Sequence, residues 1–84
     1  MITHAFTFGA VLTIDSTNNR VALTWKDKRI DKAFHGATLA IAAAHMRVEL
    51  NELESVAFAT GRESDSTRYQ QVLRILGEYT GREP

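Results

Sequence analysis

A chain of 84 residues, 44% hydrophobic and 24% charged, falls in the ordinary globular range and is long enough for a single α+β domain, residues 1–84. Its ten basic and ten acidic residues cancel, which excludes a whole-molecule field steering it onto nucleic acid or anionic lipid. The lack of cysteine excludes a disulfide framework, a thiolate nucleophile and a cysteine-built zinc site, and fits a cytoplasmic setting.

From the N-terminus, Phe6, Phe8, Ala10, Leu12 and Ile14 alternate with Thr7, Gly9, Val11 and Thr13. Period two with aromatic and β-branched residues predicts a first strand over 6–14. "DSTNN" supplies turn chemistry, since Asp, Ser and Asn bond locally and Asn tolerates left-handed backbone. Val21, Leu23 and Trp25 then alternate with Arg20, Ala22, Thr24 and Lys26, which predicts a hairpin partner. A weaker third strand carries Ile30 and Phe34.

Gly36 punctuates, and the run "ATLAIAAAHMRVEL" predicts a helix. Leu39, Ala43, Met46 and Leu50 form one apolar stripe on it; Ile41, Ala44 and Val48 form another nearly opposite. Two stripes imply burial on two sides. The helix is therefore expected as a middle layer, between the sheet and either the last helix or a second copy. Asn51 with Glu54 resembles a capping box and predicts a separate short helix over 52–60, closed by Gly61. A strand through "SVAFAT" is the rival reading. After the loop "GRESDS", Ser64, Asp65 or Ser66 is expected to cap a final helix with Tyr69, Val72, Leu73, Leu76 and Tyr79 on one face. Gly81 would end it, leaving "REP" as a tail. The expected fold is an N-terminal antiparallel β-hairpin or three-stranded meander packed against two or three α-helices.

Candidate chemistry is sparse. His45 and Glu49 stand four apart, a spacing that can bring two ligands to one metal. A complete shell would need His4 or His35 as well, and a polar helix edge is the simpler reading. Neither a metal nor a cofactor is expected. Ser16, Ser55, Ser64 and Ser66 fit turns or caps, and no nucleophile-elbow or phosphate-loop motif occurs. The chain is expected not to be an enzyme.

Two surfaces remain. Lys26, Lys28, Arg29 and Lys32 lie beside Trp25, and basic residues with an aromatic can bind nucleic acid. Asp27 and Asp31 offset half of that charge, and Trp25 shares parity with Val21 and Leu23. A core tryptophan under a charged hairpin tip is the plainer reading. A nucleic-acid-binding or transcription-regulatory module is the alternative function.

The second surface is the first strand, which has no Lys, Arg, Asp or Glu from Met1 to Ile14. Exposed edges usually carry charge, so this one is either covered or used for pairing, with a partner or with itself in a homodimer. Thr7, Val11 and Thr13 would join Ala22 and Thr24 in a weakly polar face for partner binding. The leading expectation is a small non-enzymatic protein-binding domain acting by surface occupation. Mobile-element inhibitors of host complexes, such as anti-CRISPR proteins, are examples of that kind, on the basis of size and not of any motif. The first residues lack the basic and apolar regions of a signal peptide, and no membrane partner is expected.

Overall fold

Alternating apolar residues at the N-terminus and helix-period residues beyond Gly36 fold as an α+β structure: a four-stranded antiparallel sheet followed by two helices. The computed structural model describes residues 1–80. The elements are β1 (Ile2–Ala5), β2 (Ala10–Asp15), β3 (Arg20–Trp25), β4 (Ile30–His35), α1 (Leu39–Ala59) and α2 (Glu63–Gly77). The strands lie in the order β1-β2-β3-β4, each beside its neighbour in the chain.

The segment 6–14 is not one strand. Phe6 to Gly9 form a turn in which Gly9 N–H donates to the Phe6 carbonyl (3.1 Å) and Phe6 N–H to that of Ala10 (2.8 Å). Gly9 takes φ +97°, a backbone region glycine occupies without steric cost. The alternation runs on through the turn because both aromatics fold back over the sheet. Phe6 stacks on Phe8 (5.2 Å between centroids), and Phe8 meets Trp25 (5.0 Å). The strand before the turn, β1, thus pairs Ile2 with Ile14 and His4 with Leu12.

Thr7 occupies the second position of this turn, where proline is favoured in both common turn types. Thr7→Pro is therefore expected to change stability by no more than about 1 kcal/mol, which urea denaturation would measure.

The next two connections follow local chemistry. The Asp15 carboxylate accepts from Thr17 N–H (3.1 Å), Asn18 N–H (3.3 Å) and the Asn18 side-chain amide (2.8 Å). Asn19 takes the left-handed conformation (φ 50°), as the "DSTNN" composition suggests. Between β3 and β4, Lys26–Lys28 make one short 3-10 turn, and Arg29 at φ 56° redirects the chain.

Gly36 sits where the chain crosses close to the first turn of α1. A Cβ there would lie 2.7 Å from Ile41 Cγ2 and 2.9 Å from the Ala42 nitrogen. Thr38 caps the helix, its hydroxyl accepting from Ile41 N–H (3.2 Å). Helix α1 then runs unbroken to Ala59. The separate helix over 52–60 and the strand through "SVAFAT" are both replaced by this continuation. Asn51 is exposed in mid-helix, and Leu50, Leu53 and Ala57 keep facing the core. The end is a Schellman motif: Arg62 N–H reaches the Ala57 carbonyl (2.8 Å) and Gly61 N–H that of Phe58 (3.2 Å). Gly61 supplies the required φ of +79°.

Helix α2 starts at Glu63, behind Arg62, which makes no side-chain cap. The expected capping by Ser64, Asp65 or Ser66 does not occur; all three lie inside the first turn. The helix ends at Gly77, and the expected terminator Gly81, with the "REP" tail, lies outside the described residues.

One face of the sheet carries the core. Leu12, Ile14, Val21, Leu23 and Trp25 meet Met46 and Leu50 of α1 and Val72 and Leu76 of α2. Alanines at 42, 43 and 57 let the helices approach closely. Helix α1 packs on β3, β4 and α2. Tyr69 of α2 meets Trp25 (5.2 Å), and Tyr79 meets His4 of β1. The helices thus lie side by side in a single layer, and the molecule is 17 Å across its shortest axis. Helix α1 is consequently not a middle layer. Its second stripe faces outward: Ile41 is 43% and Val48 64% exposed. No helix is long and apolar enough to cross a membrane among the described residues.

Candidate interaction surface

The face of the sheet opposite the helices is bare, and the register says which side chains share it. Ala5, Val11, Thr24 and Asp31 form one row across the four strands; Thr3, Thr13, Ala22 and Ala33 form the next. Asp15, Arg20 and His35 close one end. Beyond this end lies a field of small and β-branched side chains, all exposed or half-buried, with Asp31 at its far corner. Of the five residues expected to bind a partner, Val11, Thr13, Ala22 and Thr24 are brought together here. Thr7 is separated from them, at the tip of the β1–β2 turn.

The expected pairing edge is corrected. Strand β2, which contains residues 10–14 of the expected first strand, is interior: β1 flanks it on one side and β3 on the other. Its main-chain groups are satisfied within the sheet, so it cannot be extended by another chain or by its own copy. The edges are β1 and β4. Strand β1 also lacks acids, lysine and arginine, but it is only four residues long, and shortness is itself a guard against pairing. Strand β4 carries Asp31 and Lys32.

The basic segment does not present four free cations. Lys28 is paired with Asp65 at the start of α2, and Lys32 with Glu49 of α1 (3.2 Å). Lys26 and Arg29 remain exposed. Trp25 is 1% exposed, a core residue under the turn and not a stacking platform. The Lys28 pair also closes a cleft floored by Ile30, Ala57 and Tyr69 and rimmed by Arg62. As for His45 and Glu49, the histidine is exposed and edge-on to Phe34 (6.4 Å), while the glutamate is held by Lys32.

Two polar ties were not legible in the sequence. Ser66, buried at 3% exposure, donates to Glu54 Oε2 (2.6 Å), which also accepts from Gln70 (3.1 Å). The second is Lys28–Asp65. Both join residues distant in sequence, and nothing in their local spacing marks them.

These bonds depress three carboxyls below their ordinary range. The Asn18 amide acts on Asp15, the Ser66 hydroxyl and then Gln70 on Glu54, and the Lys28 ammonium on Asp65. A depressed folded pKa means that fewer protons are bound folded than unfolded, so stability rises with pH across that window. Stability is therefore expected to be full above the carboxylate range, about pH 4 to 4.5, and to fall as the pH drops below it. Glu54→Gln should flatten that fall in denaturation midpoints measured across acid pH.

Family models, curated proteins and solved structures offer no match to this chain.

Proposed function

We propose that this chain is a non-enzymatic protein-binding domain that acts by occupying a surface of its partner, with the open sheet face as the contact. The observation that carries the reading is the composition of that face. Eight neighbouring positions across four strands hold only alanine, valine and threonine, apart from Asp31 at one corner. Short, stiff side chains lose little rotamer freedom on contact. Charge at the margins suits a polar rim around a drier centre. Blocking a site needs a surface and no chemistry, so inhibition of a host protein complex, as anti-CRISPR proteins exemplify, is a role such a domain can fill. We place this action in the cytoplasm, in keeping with a chain that has no thiol to oxidise.

Ala22 lies near the centre of the face. Ala22→Arg points into solvent and is expected to leave stability within about 0.5 kcal/mol of the parent, while abolishing partner binding. The check is affinity capture from nuclease-treated extracts of source cells, parent beside variant. A partner retained by the parent and lost by the variant supports the reading. Identical capture by both, or capture that nuclease removes, refutes it and favours a nucleic-acid role.

A further inference from the structure

The outward stripe of α1 is not explained by the sheet face. Ile41, Ala44, Val48, Asn51, Ser55 and Phe58 recur at alternating spacings of three and four, the seam that one helix presents to another in left-handed pairing. Val48 is 64% and Phe58 66% exposed. The seam is small or apolar at every position except Asn51.

The charges flanking the seam identify its occupant. On one flank stand His45 and Glu52; on the other stand Arg47 and Glu54. Each flank has its basic residue toward the N-terminus and its acid toward the C-terminus. A parallel copy would pair Arg47 with Glu52 of its partner but set His45 beside Ala40 and Glu54 beside Ala59. An antiparallel copy, with its two-fold axis between Glu49 and Leu50, sets His45 beside Glu52 and Arg47 beside Glu54, each pair occurring twice. The same axis places Ile41 opposite Phe58, Ala44 opposite Ser55 and Val48 opposite Asn51, so the seam closes on itself. Two further details fit. Arg47 Nε is buried with no hydrogen-bond partner among the described residues, and Glu54 receives both of its hydrogen bonds on Oε2, leaving Oε1 open.

We infer that the protein is a homodimer formed by antiparallel pairing of α1 with α1 of a second copy, an isologous interface. It uses the side of the molecule opposite the bare sheet face and stands independently of what that face binds. Pairing through α1 leaves two sheet faces on opposite outer sides, so the dimer is bivalent and gains avidity for a partner that presents two sites.

Sedimentation equilibrium of the full chain tests this, with a mass twice that of the chain expected for the parent and the single-chain mass for Val48→Glu. Geometry is tested separately, because the chain has no cysteine. Ala44→Cys and Ser55→Cys protomers, mixed and oxidised, are expected to cross-link to each other, and neither to itself. A monomeric parent, a Val48→Glu protein that remains dimeric, or self-linking of Ala44→Cys overturns the proposal.

Discussion

Replacing Trp25 with alanine is expected to cost about 3–5 kcal/mol, against a total stability of roughly 4–12 kcal/mol for a chain of this length. The indole is 1% exposed at the end of β3, and the β1–β2 turn and α2 both converge on it. Phe8 of the β1–β2 turn lies 5.0 Å away and Tyr69 of α2 lies 5.2 Å away, edge-on. Alanine would leave a cavity that the sheet cannot close, since Leu23 and Ile30 are already fixed by strand pairing. It would also release the aromatics that hold the turn down and α2 against the sheet. Urea denaturation followed by far-ultraviolet circular dichroism measures the loss. A midpoint close to the parent's would mean that the turn, sheet and α2 do not share one core.

Met46→Ala is the second large effect, about 2–5 kcal/mol. Met46 is 1% exposed on the face of α1 that bears on the sheet, so its loss separates the two layers at their centre. Met46→Leu conserves volume and should cost less than about 1.5 kcal/mol. The contrast distinguishes cavity formation from a general intolerance of change at this site. Val48, two residues on, is expected to accept alanine with little effect on the stability of the single chain, because its side chain faces outward.

Much of this architecture can be read from the residues themselves. Leu12 and Ile14 in β2, and Val21, Leu23 and Trp25 in β3, alternate cleanly because one sheet face is buried and the other is not. Asp15 to Asn19 announce a turn because Asp15 bonds to the backbone three residues on and Asn19 tolerates a positive φ. Met46, Leu50, Val72 and Leu76 announce the helix faces that meet the sheet. The first hairpin was hidden for a definite reason. Phe6 and Phe8 preserve period-two alternation across a reversal of the chain, and only Gly9 marks the turn. The length of α1 was hidden too, since Asn51 and Glu54 mimic a cap while Leu53 and Ala57 carry the core stripe onward.

The two-stripe pattern of α1 was legible, but its meaning was not. A sequence records that a helix has two apolar faces, and only packing reveals that α2 lies beside α1 and leaves the second face uncovered. The bare sheet face was partly visible, since Val11, Thr13, Ala22 and Thr24 share a parity. Its extent to Thr3 and Ala5 on β1, and to Ala33 on β4, required the register. The long-range ties Lys28–Asp65 and Glu54–Ser66 carry no periodic signal at all.

Site-specific photo-cross-linking distinguishes the open sheet face, proposed above as the partner contact, from the rest of the surface. Thr13→Cys and Arg74→Cys each provide a single attachment point for a benzophenone, because the parent has no cysteine. Thr13 lies on the bare face, and Arg74 is exposed on α2. In nuclease-treated extract of source cells, the probe at position 13 is expected to give one discrete protein adduct. Excess unlabelled parent should suppress that adduct, and none should form from position 74. Equal adducts from both positions, or none from position 13, would contradict a partner contact through the sheet face.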